Sequence, residues 1–311
     1  MTHPSVRRWL AAGFILFALI AVGLTGVSAR SQGTDKTLFV AVTDASGKPL
    51  TDVKVSEFAV REDNVNREVI SVKSASKPLY VYLLADTSRQ AGNTGFMGRE
   101  TSTGGTELIR DIRNSLTDAV KTLNALQPEA QIALMEFGQA AITVTKFTNK
   151  LPDLEKGINR LYPKPEAGSV ILEAMIEASK LLAKVPSGRR AIITLNIEPG
   201  EEESRQEPKK LYETLRESGA NLWSISLQKG QLRNAQRDVV LNELTKWTGG
   251  RREFQIGPVA IKNSLTQFVE TLASEYELTY KRPDSSSNVQ MVQVGTTRPG
   301  SKTYASMFAP K

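Results

Sequence analysis

The sequence predicts an α/β fold: a doubly wound, mostly parallel sheet with an antiparallel edge hairpin, plus a small all-β unit formed by the N- and C-terminal segments. Three observations predict it. Runs such as YVYLLAD (80–86) and RRAIITLNI (189–197) are apolar without alternation, the mark of strands covered on both faces. These strands alternate with stretches of helical period, which argues a parallel sheet with helices on both sides. The segments 36–78 and 276–311 hold strands and turns but no helical period.

In chain order, TLFVAVTD (37–44) alternates, ASGKPL is a turn, and EFAVRED (57–63) and REVISVKSA (67–75) are two further strands. After YVYLLAD comes a Gly-rich loop (91–106), then Leu108, Ile109, Ile112, Leu116, Val120, Leu123 and Leu126 at helical spacing. QIALMEFG (131–138) and AITVTKFT (141–148) are joined too closely for a parallel crossover, so they form a hairpin. A short helix is expected around 154–161 and an amphipathic one over 169–184. KKLYETLRESG (209–219) ends on Gly219, where a left-handed cap is easy. ANLWSISLQ (220–228) is a strand, VVLNELTKWTGG (239–250) a helix, REFQI (252–256) a strand, and 258–276 a helix opened by Pro258. YELTYKR, VQMVQVGTT and KTYASMF close the chain as strands, interrupted by the linker PDSSSN (283–288). Trp223 and Trp247 fall on core-facing positions. The domain organisation expected is 1–29 signal, 36–78 β segment, 79–275 α/β domain and 276–311 β segment.

Composition narrows the chemistry. The 311 residues are 40% hydrophobic and 23% charged, ordinary globular values. The N-terminus carries Arg7 and Arg8 without an acid, then an uncharged apolar run, then Val27-Ser28-Ala29, a small-x-small cleavage pattern. That is a signal peptide, with an uncleaved anchor as the alternative and the only route to a membrane. The expected location is outside the cytoplasm, periplasmic or secreted. There is no cysteine, and the single histidine, His3, lies in the signal. The mature chain therefore has no Ser-His-Asp or Cys-His hydrolase and no ordinary zinc site. Removing Arg7 and Arg8 from 40 bases leaves 38 against 33 acids, scattered rather than gathered on one face, so a nucleic-acid partner is not expected.

In doubly wound sheets ligands collect outside the carboxyl ends of the strands. There YVYLLAD ends in Asp86-Thr87-Ser88-Arg89-Gln90. The strand order, the edge hairpin and this Asp-x-Ser placement resemble the von Willebrand factor A-type domain over residues 79–275. The N-terminal VAVTDASGKPLTDVKVSEFAVREDNVNREVISV and the closing ASEYELTYKRP resemble the wider VWFA-related secreted bacterial proteins of acidobacterial type. That resemblance implies a metal-ion-dependent adhesion site, with a divalent cation on an Asp-x-Ser-x-Ser motif, a hydroxyl and a second aspartate. Carried over by residue, Asp86, Ser88 and Ser169 are the candidate metal ligands. The third motif position holds Gln90 instead of serine. The second aspartate is replaced by Asn196-Ile197-Glu198, with Glu198 as a displaced substitute.

Arg89, next in sequence, is expected to neutralise Asp86 in place of a metal, so the cofactor is none or weakly bound Mg2+. The function implied is an exported, non-enzymatic protein-binding or adhesion module with a degenerate metal site, taking a protein ligand at the Asp86/Ser169 edge. Two alternatives stand beside it. An Asp86-dependent hydrolase lacks the second carboxylate at the plus-two position, which is Ser88. A purely structural envelope protein would carry a vestigial site. GEEESRQE (200–207) is expected to be a solvated loop at the binding edge, and TSTGGT lacks the spacing of a nucleotide loop.

Overall fold

A computed structural model describes residues 33–92, 105–228, 233–284 and 289–310. The signal segment, most of the Gly-rich loop and part of the PDSSSN linker lie outside the described residues. Among the described residues no helix is long and apolar enough to cross a membrane.

Strand β1 (Gly33–Thr43) opens the described chain. β2 (Phe58–Glu62) and β3 (Val65–Arg67) pair as a hairpin, turned at Asp63 and Asn64 with φ of 45° and 69°, the twist-matched geometry of tight hairpins. β4 (Val69–Ser74) follows at once. The strand expected over 67–75 is β4, starting two residues later, and Arg67 instead ends β3 in a different sheet. The break is at Glu68, whose carbonyl accepts from Lys281 N at 3.0 Å where the neighbouring ladder shifts register.

The α/β part runs β5 (Leu79–Asp86), α1 (Arg89–Gly92), α2 (Gly105–Leu126), β6 (Gln131–Phe137), β7 (Ala141–Thr148), α3 (Leu151–Ile158), α4 (Ile171–Ala183) and β8 (Arg189–Glu198). It continues with α5 (Pro208–Ser218), β9 (Asn221–Gln228), α6 (Ala235–Thr248), β10 (Arg252–Gln255) and α7 (Pro258–Ala273). Helix α3 starts three residues earlier than expected because Pro152 fits its first turn. Gly219 closes α5 in the left-handed conformation, as its sequence predicts. The chain ends with β11 (Tyr276–Pro283), β12 (Val292–Thr296) and β13 (Lys302–Ala305).

The central sheet has the order β10-β9-β8-β5-β6-β7, all parallel except β7, which is antiparallel to β6 at the edge. Alternate residues of each central strand serve opposite layers. Val81, Leu83 and Ala85 pack with α2, α3 and α7, while Tyr82 and Leu84 pack with α4, α5 and α6. That two-sided burial is why the strands read as unbroken apolar runs. β5 sits between β6 and β8, so the connections diverge at its carboxyl end, the position where such sheets form crevices.

The two small sheets, β13-β1-β11-β4 and β12-β2-β3, share one core built from Leu38, Val40, Phe58, Val60, Tyr276, Leu278 and Tyr280. Both ends of the chain supply it, because strands without partners in their own segment find them across the molecule. Trp223 is fully buried between α7 and β13. Trp247 is only half-buried: its ring stacks on Phe308 from the C-terminal segment rather than on the core.

Candidate functional site

The carboxylate that ends β5 is spent on the backbone. Asp86 Oδ1 accepts from Ser88 N at 2.9 Å, closing an Asx turn, and Oδ2 accepts from Ile197 N of β8 at 3.1 Å. The turn is fixed further where Thr87 O accepts from Lys164 N and Arg89 N donates to Ala167 O. Two residues beyond Ala167, Ser169 donates its N–H to Glu201 O and accepts at its carbonyl from Glu203 N, both at 2.7 Å. Asp86, Thr87, Ser169 and Glu198 are 0% exposed and Ser88 is 1%. Thr87 Oγ1 and Ser169 Oγ meet no hydrogen-bond partner among the described residues, while the Ser88 hydroxyl acts on the Asp86 carboxylate. Asp86, Ser88 and Ser169 thus lie in the segments joined by these bonds, and all three are buried there. Gln90 lies half-buried in α1.

Glu198 has other partners. Its Oε1 accepts from Asn196 Nδ2 at 3.0 Å and faces Arg237 Nη1 at 3.5 Å and Arg252 Nη2 at 3.4 Å. Its Oε2 accepts from Asn234 N at 3.3 Å. Arg252 also binds Asp238 Oδ1 at 2.7 Å and Ser226 Oγ.

Arg237 is the residue that sequence reading missed. It enters from the first turn of α6, 3% exposed, and donates from Nε and Nη2 to Glu202 Oε2 at 3.1 and 2.9 Å. Its Nη1 donates to Ile197 O at 3.2 Å. Gly200 makes this approach possible, because a Cβ there would lie 2.6 Å from Nη1. Burial alone would weaken its charge, but Glu198, Asp86 and Glu202 together hold it firmly protonated. Burial likewise pushes the Asp86 and Glu202 carboxyls up, and the Arg237 charge opposes that rise in both. The signal was present: Arg237 is in phase with Leu241, Leu244 and Thr248, the buried stripe of α6. A charged residue on an apolar stripe points to a buried partner.

The expectation for Arg89 is corrected accordingly. Its guanidinium points outward, 2.9 Å from Glu201 Oε2 and 3.8 Å from Glu203 Oε1, because α1 turns it toward the loop after β8. That loop is exposed at Glu201, Glu203 and 205–207, as a solvated segment would be, but it is also anchored to the domain. Ser204 Oγ accepts from Leu172 N, Arg205 N donates to Glu173 Oε1, and the Glu202 side chain is buried against Arg237. The Glu203 carboxylate lies over Gly168, accepting its N–H at 3.3 Å, where any Cβ would collide. Glu201 and Glu203 face solvent, at 63% and 48% side-chain exposure, and Arg205, Gln206 and Glu207 are exposed beyond them.

These groups, so arranged, do not fit the divalent cation that the resemblance implies. Such ions take several oxygen ligands in near-regular geometry and need charge to offset dehydration. Here one carboxylate has both oxygens on backbone donors, the second acid is held by two arginines, and a guanidinium already acts on Asp86. The described residues contain no group of three acids or histidines placed to hold a metal.

No protein-family model and no curated sequence matches the chain. Solved structures similar to it are von Willebrand factor A domains. One from Catenulispora acidiphila is 11% identical, with a TM-score of 0.49, covering 90% of this chain and 75% of its own. BatB from Bacteroides thetaiotaomicron is 12% identical, with a TM-score of 0.47, covering 62% of this chain and 98% of its own. The vWF domain of the type V pili tip protein Mfa5 from Porphyromonas gingivalis is 12% identical, with a TM-score of 0.47, covering 64% and 96%.

Proposed function

We propose that the chain is an exported, non-enzymatic protein-binding module that engages a protein partner at the carboxyl edge of its central sheet, with no working metal site. The division into a 79–275 binding domain and a supporting β unit belongs to the same reading. The observation that carries it is the buried Arg237 guanidinium among Asp86, Glu198 and Glu202, at the edge where a cation would otherwise be needed. What that edge offers a partner is its rim: Arg89, Glu201 and Glu203, all solvent-facing. Catalysis has little support. Asp86 is fully buried with both oxygens occupied, so it is not placed to attack an ester, and the mature chain has no histidine or cysteine. Export rests on the charged, apolar and small-residue order of residues 1–29.

The test is capture from envelope extract by the immobilised wild type and by a Glu201→Lys/Glu203→Lys variant, each with and without EDTA. A partner held by wild type, lost by the variant and indifferent to EDTA is the expected result. Capture abolished by EDTA would restore a metal-dependent mechanism. No difference between wild type and variant would favour the purely structural envelope role. Intact-mass spectrometry of native material, expected to begin near Arg30, checks export separately.

A further inference from the structure

We infer that the edge is self-liganded: Arg237 is the chain's own replacement for a divalent cation, and Glu202 its own replacement for the carboxylate that a partner would bring to that cation. This rests on the metal-independent reading above and extends it to the cause.

A bound divalent cation would supply positive charge close to Asp86 and accept one acidic ligand from outside. Arg237 does both jobs covalently tethered. Its charge acts on Asp86, Glu198 and Glu202 at once. Its Nε and Nη2 both grip a single oxygen of Glu202, a charge-assisted contact supplied by the loop above. The backbone is shaped to suit, since Gly200 leaves room for the guanidinium. A second, independent feature is the state of the hydroxyls at this edge. The hydroxyls of Thr87 and Ser169 are buried and unpartnered among the described residues, as oxygens in reach of a cation would be.

Losing the guanidinium leaves Asp86 and Glu202 without a counter-charge and Glu198 with Arg252 alone. Uncompensated buried carboxylates beside free hydroxyls are what a hard cation binds. Arg237→Ala and Arg237→Gln are therefore expected to acquire a divalent-metal response that the wild type lacks.

The experiment uses the full mature chain. Melting temperature is followed by circular dichroism with added Mn2+, Mg2+ or EDTA, and bound Mn2+ is counted by loss of the free-ion paramagnetic signal. Wild type and Arg237→Lys, which keeps the charge, are expected not to respond. Arg237→Ala and Arg237→Gln are expected to melt lower in EDTA, to recover by several degrees in millimolar Mn2+, and to bind about one equivalent. Adding Asp86→Asn to either is expected to abolish the recovery. If both neutral variants are unfolded in EDTA, refolding by Mn2+ supports the proposal and failure to refold overturns it. Folded neutral variants that ignore metal overturn it, leaving Arg237 a structural ion pair. A response by Arg237→Lys also overturns it, because charge would not be the determinant. A wild-type response fails the metal-independent reading itself, and is distinguishable because it needs no variant.

Discussion

Asp86 and Arg237 hold opposite ends of one residue: Ile197 gives its N–H to Asp86 Oδ2 at 3.1 Å and its carbonyl to Arg237 Nη1 at 3.2 Å. The carboxyl end of β8 is thereby clamped between β5 and α6. Because Asp86 satisfies two buried N–H groups, Asp86→Ala leaves both without a partner. Each stranded donor costs about 1–3 kcal/mol, so a loss of about 2–6 kcal/mol is expected. Asp86→Asn retains one acceptor oxygen and is expected to lose roughly half as much. Urea denaturation measures both.

Glu275 sits in the interior beside Arg189 Nη1 at 3.6 Å, where α7 passes into β11. Burial outweighs that arginine and pushes its carboxyl from 4.5 up to about 7. The folded chain therefore keeps a proton that the unfolded chain has released between those values. Stability is fullest below about pH 4.5 and falls as pH rises to about 7, by roughly 3 kcal/mol from this group. Glu275→Gln is expected to flatten that part of the wild-type profile. Unfolding free energies of both proteins at pH 5 and pH 8 test it, and parallel slopes would refute it.

Glu62 couples the two small sheets. It is 0% exposed, accepts from Arg67 Nε at 2.9 Å and Arg282 Nε at 2.7 Å, and receives the Tyr280 hydroxyl. Burial alone would raise its carboxyl, but the Arg282, Tyr280 and Arg67 hydrogen bonds hold it below the usual range. Its contribution therefore vanishes on acidification, the opposite sense to Glu275. Removing one member of a buried pair costs about 3–5 kcal/mol, and Glu62→Ala is expected to fall there. Tyr280→Phe deletes two hydrogen bonds, one donated to Glu62 and one accepted from Arg282 Nη2, and is expected to cost about 2–4 kcal/mol.

Phe308 fastens the C-terminal segment to the α/β part. It stacks on Trp247 at 6.0 Å, meets Tyr212 edge-on at 5.3 Å, and Met307 N donates to Trp247 O at 2.8 Å. Phe308→Ala is expected to destabilise by about 2–3 kcal/mol, below a full core truncation because the cluster is open on one side. Trp247 emission is expected to shift to the red, since Trp223 is fully buried elsewhere.

What was legible in the sequence is what local pattern encodes. The β5 and β8 runs lack alternation because helices cover both faces, and α2 shows its stripe because only one side is buried. The edge hairpin followed from its short connection. Asp86 and Ser88 were readable as a turn at a strand end, and Ser169 as a hydroxyl opening a helix. The split at Glu68 was not, because it answers to Lys281 in a distant strand. Arg89 was chosen for its nearness in sequence, yet the first turn of α1 sends it to Glu201, while Arg237 reaches the edge from a helix far along the chain. The closed loop over 200–206 depends on pairing with Ser169 and Leu172, which no local signal announces.

The β unit assembled from both chain ends also sets an order of assembly. β1 and β4 flank β11, so neither can complete its ladder until residue 276 and beyond are available. Closing so long a segment as flexible chain is entropically expensive and slow. Once the α/β part has formed, however, its two ends lie side by side, with Ala75 N donating to Glu275 O at 2.9 Å. The α/β part then acts as a rigid splint, and the remote strands meet as near neighbours. Until that moment β1 and β4 present open edges, which makes the newly emerged chain most exposed to self-association before residues 276–311 arrive.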